Sequence, residues 1–399
     1  MDKNLILVIN CGSSSIKFSL IAPDDGSEHL AGIAQNLLSS AANITFKQNS
    51  EKLNYSLPEP FDHETALASI VGFLQDNKYA EHVCAIGHRV VHGGETYSQP
   101  ILINDQVMNT LADLAQLAPL HNPANITGIN AAQKAFSQLP QVAVFDTAFH
   151  QTMPEKAFLY ALPYDLYQSH GIRRYGFHGT SHYYVCHEAS RLLQMKQNQG
   201  SFISAHLGNG SSICAIENGK SLDTSMGLTP LSGVVMGTRS GDIDPGIIFH
   251  LINGLGYSHE QVNNLLNKES GLLGLSELSN DCRTLEEAMF NENNQQAKLA
   301  LDIFCYRIAK QIAAYAASLT TLDGIIFTGG IGENSDYVRA KVVQSLSLLN
   351  LHIDEELNVA TRFGQAGNIA SKSSRACLVI PTNEEWVIAK QTAEVIQAN

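Results

Sequence analysis

Four side chains able to hold an anion, and one carboxylate, lie beside short stretches rich in small, turn-forming residues. Lys17 follows Asn10-Cys11-Gly12-Ser13-Ser14-Ser15, and Arg89 lies in His88-Arg89-Val90-Val91-His92-Gly93-Gly94-Glu95. Asp146 ends the apolar run Val142-Ala143-Val144-Phe145. His178 lies in Arg173-Arg174-Tyr175-Gly176-Phe177-His178-Gly179-Thr180-Ser181-His182, and Arg239 in Met236-Gly237-Thr238-Arg239-Ser240-Gly241-Asp242-Ile243-Asp244-Pro245. Gly, Ser and Asn leave backbone N–H groups open to a bound anion, and Lys, Arg and His hold its charge. A carboxylate just past the carboxyl end of a buried strand is where open α/β folds place their chemistry. The chemistry indicated is the handling of phosphate or another small anion. Each stretch also has a plain structural reading: a hairpin turn with a surface lysine, a turn or helix-capping aspartate, a surface loop with an exposed arginine.

The elements that must position these residues follow from periodicity. Leu5 to Ile9 and Ile16 to Leu20 flank the first turn as strand, turn, strand. The theme returns about half the chain later, where Phe202 to His206, then Leu207-Gly208-Asn209-Gly210-Ser211-Ser212, then Ile213 to Ile216 repeat it. Two such hairpins predict duplicated domains, each offering a phosphate-binding turn to a shared cleft. The spacing predicts helices over 62–79, 124–136 with Asn122 as N-cap and Pro123 first in the helix, and 297–319. Residues 22–60 read as further strands and loops. Gly324 to Thr328 reads as a strand, Gly329-Gly330-Ile331-Gly332-Glu333-Asn334 as a loop, and 335–349 as a helix. That arrangement suits a nucleotide, although it matches neither the dinucleotide fingerprint nor the P-loop. His178 and His182 lie four apart, as zinc ligands on a helix can, but glycines interrupt the helix and no third ligand is evident. The domain boundary falls near 150: residues 1–150, with a C-terminal helix of about 386–399, form one domain, and 151–385 the other.

The totals set bounds. With 399 residues, 44% hydrophobic and 16% charged, the chain suits a two-domain globular protein. No stretch approaches the roughly 18 unbroken apolar residues of a membrane span, and the first apolar run is too short for a signal peptide. A cytoplasmic protein is expected. Seven scattered cysteines without a C-x-x-C pair read as reduced thiols. A formal net charge of −13 disfavours nucleic acid and anionic membrane as partners.

Taken together, NCGSSSIKF at 10–18, HRVVHGGE at 88–95, FDTAFH at 145–150, RRYGFHGTSH at 173–182, HLGNGSS at 206–212, MGTRSGDIDP at 236–245, FTGGIGEN at 327–334 and PTNEE at 381–385 closely resemble the acetate and propionate kinase family. That family stands in the superfamily of sugar kinases, actin and the heat-shock chaperone ATPases. The resemblance covers nearly the whole chain. It implies an α/β fold of two duplicated ribonuclease-H-like, actin-like ATPase domains with a nucleotide in the interdomain cleft. The activity implied is reversible phosphoryl transfer between ATP and acetate, giving acetyl phosphate and ADP, by a homodimer using Mg²⁺ or Mn²⁺. Propionate kinase is the alternative, and an ATPase without a small acceptor a more distant one.

By the same likeness, Asn10 and Glu384 help hold the metal. Asp146, His178, Arg239 and Arg89 are catalytic, with Arg89 also binding the substrate carboxylate beside Val91, Leu120, His121, Phe177 and Pro230. Lys17, His206, Leu207, Gly208, Asn209, Gly210, Asp281, Cys282, Arg283, Gly330, Ile331, Gly332, Glu333 and Asn334 fall on the nucleotide segments. Trp386 departs from the leucine common in relatives, with an expected effect on packing behind the metal site. A carboxylate acceptor is already ionised at neutral pH, so the task is electrostatic rather than proton removal. On that ground Asp146 should orient the metal and its waters rather than shuttle a proton.

Overall fold

In this computed structural model, residues 4–48, 51–116, 118, 121–196 and 198–398 are described. The chain divides into unit 1, Met1–Ala148 with Asn383–Asn399, and unit 2, Phe149–Thr382.

Unit 1 is laid on an eight-stranded sheet, of which β1 (Leu5–Cys11) and β2 (Ser15–Ile21) form the opening hairpin, closed by Gly12 N–H donating to Ser15 O at 2.8 Å. Beyond β2 follow β3 (Glu28–Gln35), β4 (Asn43–Gln48) and β5 (Glu51–Ser56), all antiparallel. On the other side of β1 lie β6 (Val83–Val90) and β8 (Gln141–Phe145), both parallel to their neighbour, with β7 (Ile101–Leu102) antiparallel at the edge. The alternation along β1 explains the layers. Leu5, Leu7 and Ile9 pack with Ala66, Leu67, Ile70 and Leu74 of the helix His63–Asp76 and with Ala131 and Ala132 of the helix Asn122–Ala135. Ile6 and Val8 face the C-terminal helix Glu384–Ala398 through Ile388 and Ala389. Each such buried aliphatic side chain contributes about 1.5–3 kcal/mol relative to exposure.

Unit 2 repeats the plan. Its sheet has the order β11 (Lys220–Thr224), β10 (Ser211–Glu217), β9 (Ser201–Leu207), β12 (Gly324–Thr328), β14 (Ala376–Val379), β13 (Gly367–Asn368). β9 pairs β10 antiparallel and β12 parallel, as β1 pairs β2 and β6. Ile203, Ala205 and Leu207 face Leu301, Phe304, Ile308 and Ile312 of the helix Gln295–Tyr315. Phe202 faces Val185, Cys186 and Ala189 of the helix Gly179–Leu192.

Several expectations need correction. The stretch Gly329–Asn334 is a short helix rather than a loop. Asn122 is the first helical residue, not the cap; His121 occupies the cap position without a capping bond. The asparagine amide is used elsewhere, donating to His92 O at 3.1 Å and accepting from His92 N–H at 3.2 Å. The helix expected over 297–319 spans Gln295–Tyr315, followed by a 3₁₀ turn. Asn383, Glu384 and Glu385 fall in unit 1 rather than closing unit 2, because the helix they open is packed on β1, β6 and β8. None of the seven cysteines is in a disulfide. No described helix is long and apolar enough to cross a membrane.

Candidate active site

In unit 1 the site grows from the end of one row of side chains. Asn10 continues the face of β1 that Ile6 and Val8 begin, opposite Lys17 on β2 and Arg89 on β6. Residues opposite one another in register share a face of the sheet, so Lys17, Asn10 and Arg89 form a row where the parallel strands end. Asp146 follows β8, its backbone N–H donating to Val90 O at 3.0 Å. Glu384 stands at the start of the C-terminal helix that covers this face.

Arg89 donates from Nε to Asp146 Oδ1 at 3.0 Å and from Nη2 to Oδ2 at 2.5 Å, a bidentate pair in which Asp146 is 1% exposed. Such fork-to-fork pairs are geometrically fixed. Asp146 is therefore committed to holding Arg89, and the outward edge of the guanidinium, Nη1 with the second N–H of Nη2, faces away from that pair. Burial alone would lower the affinity of Arg89 for its proton, but the charges of Asp146 and Glu384 outweigh it and the guanidinium stays charged. Glu384 lies 4.0 Å from Arg89 Nε. Burial, assisted by the charges of Asp146 and Glu385, pushes its carboxyl up to about 7 against the pull of Arg89 and Lys17. Two carboxylates thus share one guanidinium, with the Asn10 amide in the adjacent row. The donor set is hard oxygen and locally anionic, which fits a small divalent cation held by one or two carboxylates and waters. No cluster of three or more His, Cys, Asp or Glu suited to a metal occurs among the described residues; His182 bonds Ser204 and Ser212 through its two ring nitrogens.

The helix Asn122–Ala135 braces this row. Asn125 accepts from Val91 N–H at 3.0 Å and donates to Cys11 O at 2.8 Å, tying the ends of β6 and β1 together. His63 Nε2 meets Gly12 O at 2.9 Å and fixes the opening turn. Val91 is buried and His121 half-buried; Leu120 lies outside the described residues. Trp386 packs against the cluster of Ile6, Val8 and Ile388, its indole N–H donates to Pro23 O at 2.9 Å and its ring lies against Gly26, so it also pins the β2–β3 turn.

In unit 2 His206 takes the place in β9 that Asn10 has in β1, with Ser212 and Thr328 opposite it. The apolar face that begins at Phe202 turns polar at Ser204 and His206, and there it meets the first turn of the helix Gly179–Leu192. His178, at the cap position with φ +56°, stacks on His206 with ring centres 4.3 Å apart. A positive φ at a non-glycine residue is strained and commonly marks a functional position. His178 Nδ1 lies 3.0 Å from Ser212 Oγ. A Cβ placed on Gly210 would lie 3.4 Å from His178 Nε2 and 3.6 Å from Arg239 Nη1, so the two side chains converge above that glycine. Arg239 bonds Pro230 O at 3.1 Å and has no carboxylate partner among the described residues; burial pulls its pKa down. A half-buried guanidinium that no carboxylate partners among the described residues, beside an imidazole, is suited to receive an anion. Phe177 is buried, its carbonyl meeting His150 Nε2 at 2.9 Å.

A cavity of about 690 Å³ adjoins the β9–β10 turn. Gly208, Asn209, Asp281, Cys282, Arg283, Gly330, Ile331 and Asn334, all on the segments assigned to a nucleotide by resemblance, line it together with Asn280, Glu286, Ser335, Arg362 and Phe363, which that resemblance does not name. His206, Leu207, Gly210, Gly332 and Glu333 are not in its wall. Leu207 and Gly332 are buried, and Glu333 is spent inside the unit, accepting from Gly329 N–H at 2.9 Å and Thr382 N–H at 3.0 Å. Phe363 is 81% exposed and lies 5.4 Å from the Arg362 guanidinium, presenting a ring face and a cation at the wall of the cavity. An isolated phenylalanine in an irregular segment carries no periodic signal, which is why spacing could not find it.

The model of the Acetokinase family matches residues 5–390. A protein of Shewanella sp. (strain W3-18-1) named acetate kinase is 52% identical over 398 residues, covering 99% of both chains. Among solved structures, a propionate kinase from Francisella tularensis subsp. tularensis SCHU S4 superposes with a TM-score of 0.94 at 45% identity, over 99% of this chain and 100% of that one. Acetate kinase of Porphyromonas gingivalis gives a TM-score of 0.93 at 41% identity, over 98% of this chain and 100% of that one.

Proposed function

This chain belongs to the acetokinase family, a group of phosphotransferases with a carboxyl acceptor, and from that premise we propose how its own residues carry phosphoryl transfer between ATP and acetate. The observation that carries the assignment of roles is the convergence of His178 and Arg239 over Gly210, where a half-buried guanidinium has no carboxylate partner among the described residues. These two donors receive the phosphoryl group as its charge spreads over three oxygens in a loose transition state. The acetate oxygen attacks phosphorus directly and in line, and needs no base because it is already ionised.

Arg89 holds the acetate carboxylate through its outward edge, the N–H groups of Nη1 and Nη2 that Asp146 does not engage. Asp146 is a positioning residue for that contact. Asn10 and Glu384, with Asp146 beside them, would hold Mg²⁺ or Mn²⁺, which supplies charge neutralisation for the phosphate oxygens. Lys17 adds a further positive charge in the same row. The cavity beside Asn209 takes the nucleoside, with Phe363 and Ile331 as apolar walls and Asn280, Asp281 and Arg283 as polar partners.

Val91, Leu120, His121, Phe177 and Pro230 receive the acyl group. A valine at 91 leaves less room than the alanine of propionate kinases, which favours acetate; a methylene is worth about 1–3 kcal/mol, so propionate is a poorer substrate rather than an excluded one. Comparing kcat/KM for acetate and propionate tests this, and a preference for propionate contradicts it. The protein works as a cytoplasmic homodimer. In support, the helix Gly246–Leu255 has no buried residue although Ile247, Phe249 and Leu255 stand exposed on it. A patch of that kind is usual at an interface.

A further inference from the structure

We propose that Ser212 is a positioning residue that fixes the tautomer of His178, acting at the end of a buried chain that runs from Ser204 through His182. The inference rests on the reading that His178 Nε2 meets the transferring phosphoryl group. Ser212 Oγ lies between two imidazoles, 3.0 Å from His178 Nδ1 and 2.7 Å from His182 Nε2. His182 Nδ1 in turn lies 2.5 Å from Ser204 Oγ. Ser204, Ser212 and His182 are all fully buried, so water does not compete for these bonds.

The polarity of the chain follows from what each group can do. Burial holds His182 well below the usual histidine pKa, so it is neutral and carries one N–H. A neutral imidazole has one donor and one acceptor nitrogen, while a hydroxyl has a single proton. If Ser204 O–H donates to His182 Nδ1, then His182 Nε2–H donates to Ser212 Oγ. The Ser212 proton is then directed at His178 Nδ1, and the proton of neutral His178 sits on Nε2. That nitrogen is the one beside Gly210 and Arg239 Nη1. The reverse polarity puts the His178 proton on Nδ1 and points a lone pair at an incoming anion, which repels it.

A second chain has the same sense. Thr382 Oγ1 donates to Ser181 Oγ at 2.9 Å, and Ser181 Oγ lies 2.8 Å from Nδ1 of His206, the ring stacked on His178. Two stacked imidazoles are thus both engaged at Nδ1 by serine hydroxyls, which leaves Nε2 of each to carry the proton. The neutral tautomer of histidine is set by the bond its other nitrogen makes.

The test is long-range ¹H–¹⁵N spectroscopy of the full-length protein labelled with ¹⁵N-histidine, the His178 signals being assigned by their loss in His178→Gln. Wild type should show His178 protonated at Nε2. Ser212→Ala, close in size, should expose an Nδ1-protonated population and lower kcat roughly tenfold, the worth of about one hydrogen bond, with ATP KM little changed. Ser204→Ala should shift the tautomer the same way with a smaller loss. An Nδ1-protonated His178 in wild type, or an unshifted tautomer in Ser212→Ala, overturns the proposal. Normal kcat in His178→Gln would instead overturn the phosphoryl-contact reading beneath it, while the spectrum still decides the role of Ser212.

Discussion

Asp146→Asn isolates the pair at the centre of unit 1. The amide is nearly isosteric, but its single oxygen accepts one of the two bonds now made by Nε and Nη2 of Arg89, and its NH₂ faces the other donor. Breaking a fully buried ion pair costs about 3–5 kcal/mol. Here the Arg89 side chain keeps 23% of its exposure and Glu384, 4.0 Å away, can take up part of the charge. We therefore expect a loss of about 2 kcal/mol, below that range. The larger effect is functional. With Asp146 neutral, one source of the upward push on Glu384 is gone and Arg89 is drawn toward it, so both the acetate contact and the metal site are displaced. Losing a preorganised electrostatic contact lowers kcat by roughly 10²–10³. Urea unfolding gives the stability term, and trapping acetyl phosphate with hydroxylamine over a Mg²⁺ titration gives the catalytic one. Near-normal turnover with unchanged Mg²⁺ dependence would refute the reasoning.

Three further outcomes are expected. Burial, and for His150 also the charge of Arg174, holds His88 and His150 down at about 4, against an ordinary 6.5. The folded state therefore resists protonation: the full stability contribution is present above pH 6.5 and is lost as pH falls toward 4, about 3 kcal/mol for each. The urea midpoint should drop over that window, and an equal drop in His88→Gln would contradict this. Arg239→Met removes a half-buried charge that no carboxylate partners among the described residues, so it should leave stability unchanged or raise it by up to about 1 kcal/mol while lowering kcat at least 100-fold; calorimetry showing a destabilised variant would contradict it. At Gly237 a Cβ would lie 2.0 Å from Asn209 Oδ1, which also accepts from Asn280. Gly237→Ala should raise the KM for ATP about tenfold and leave that for acetate nearly unchanged, since a displaced Asn209 loses one or two hydrogen bonds worth about 1 kcal/mol each. Steady-state kinetics with each substrate varied checks it.

The repeated hairpin was legible because strand alternation and Gly, Ser and Asn turns are local signals, and the row Lys17, Asn10, Arg89 with its counterpart Ser212, His206, Thr328 is what that repeat becomes in three dimensions. At Asn122 an N-cap and an asparagine that bonds a distant loop look alike before a proline; only the position of His92, just past β6, decides. Gly329–Asn334 is helical despite three glycines, since Thr328 to Asn334 has tertiary support that intrinsic propensity does not weigh. Asn280, Glu286, Ser335, Arg362 and Phe363 meet at one cavity from separated parts of the chain. Such convergence has no period and no motif. The same holds for the serines that orient His178 and His206.

In the proposed reaction acetate attacks the γ-phosphorus of ATP directly, with Arg239 and His178 receiving the phosphoryl group and no enzyme group bonded to it. The stereochemical course at phosphorus tests this most directly, using ATP made chiral at the γ-position and analysing the acetyl phosphate formed. One in-line transfer predicts inversion of configuration; retention would mean two successive displacements through a phosphorylated side chain and would contradict the account.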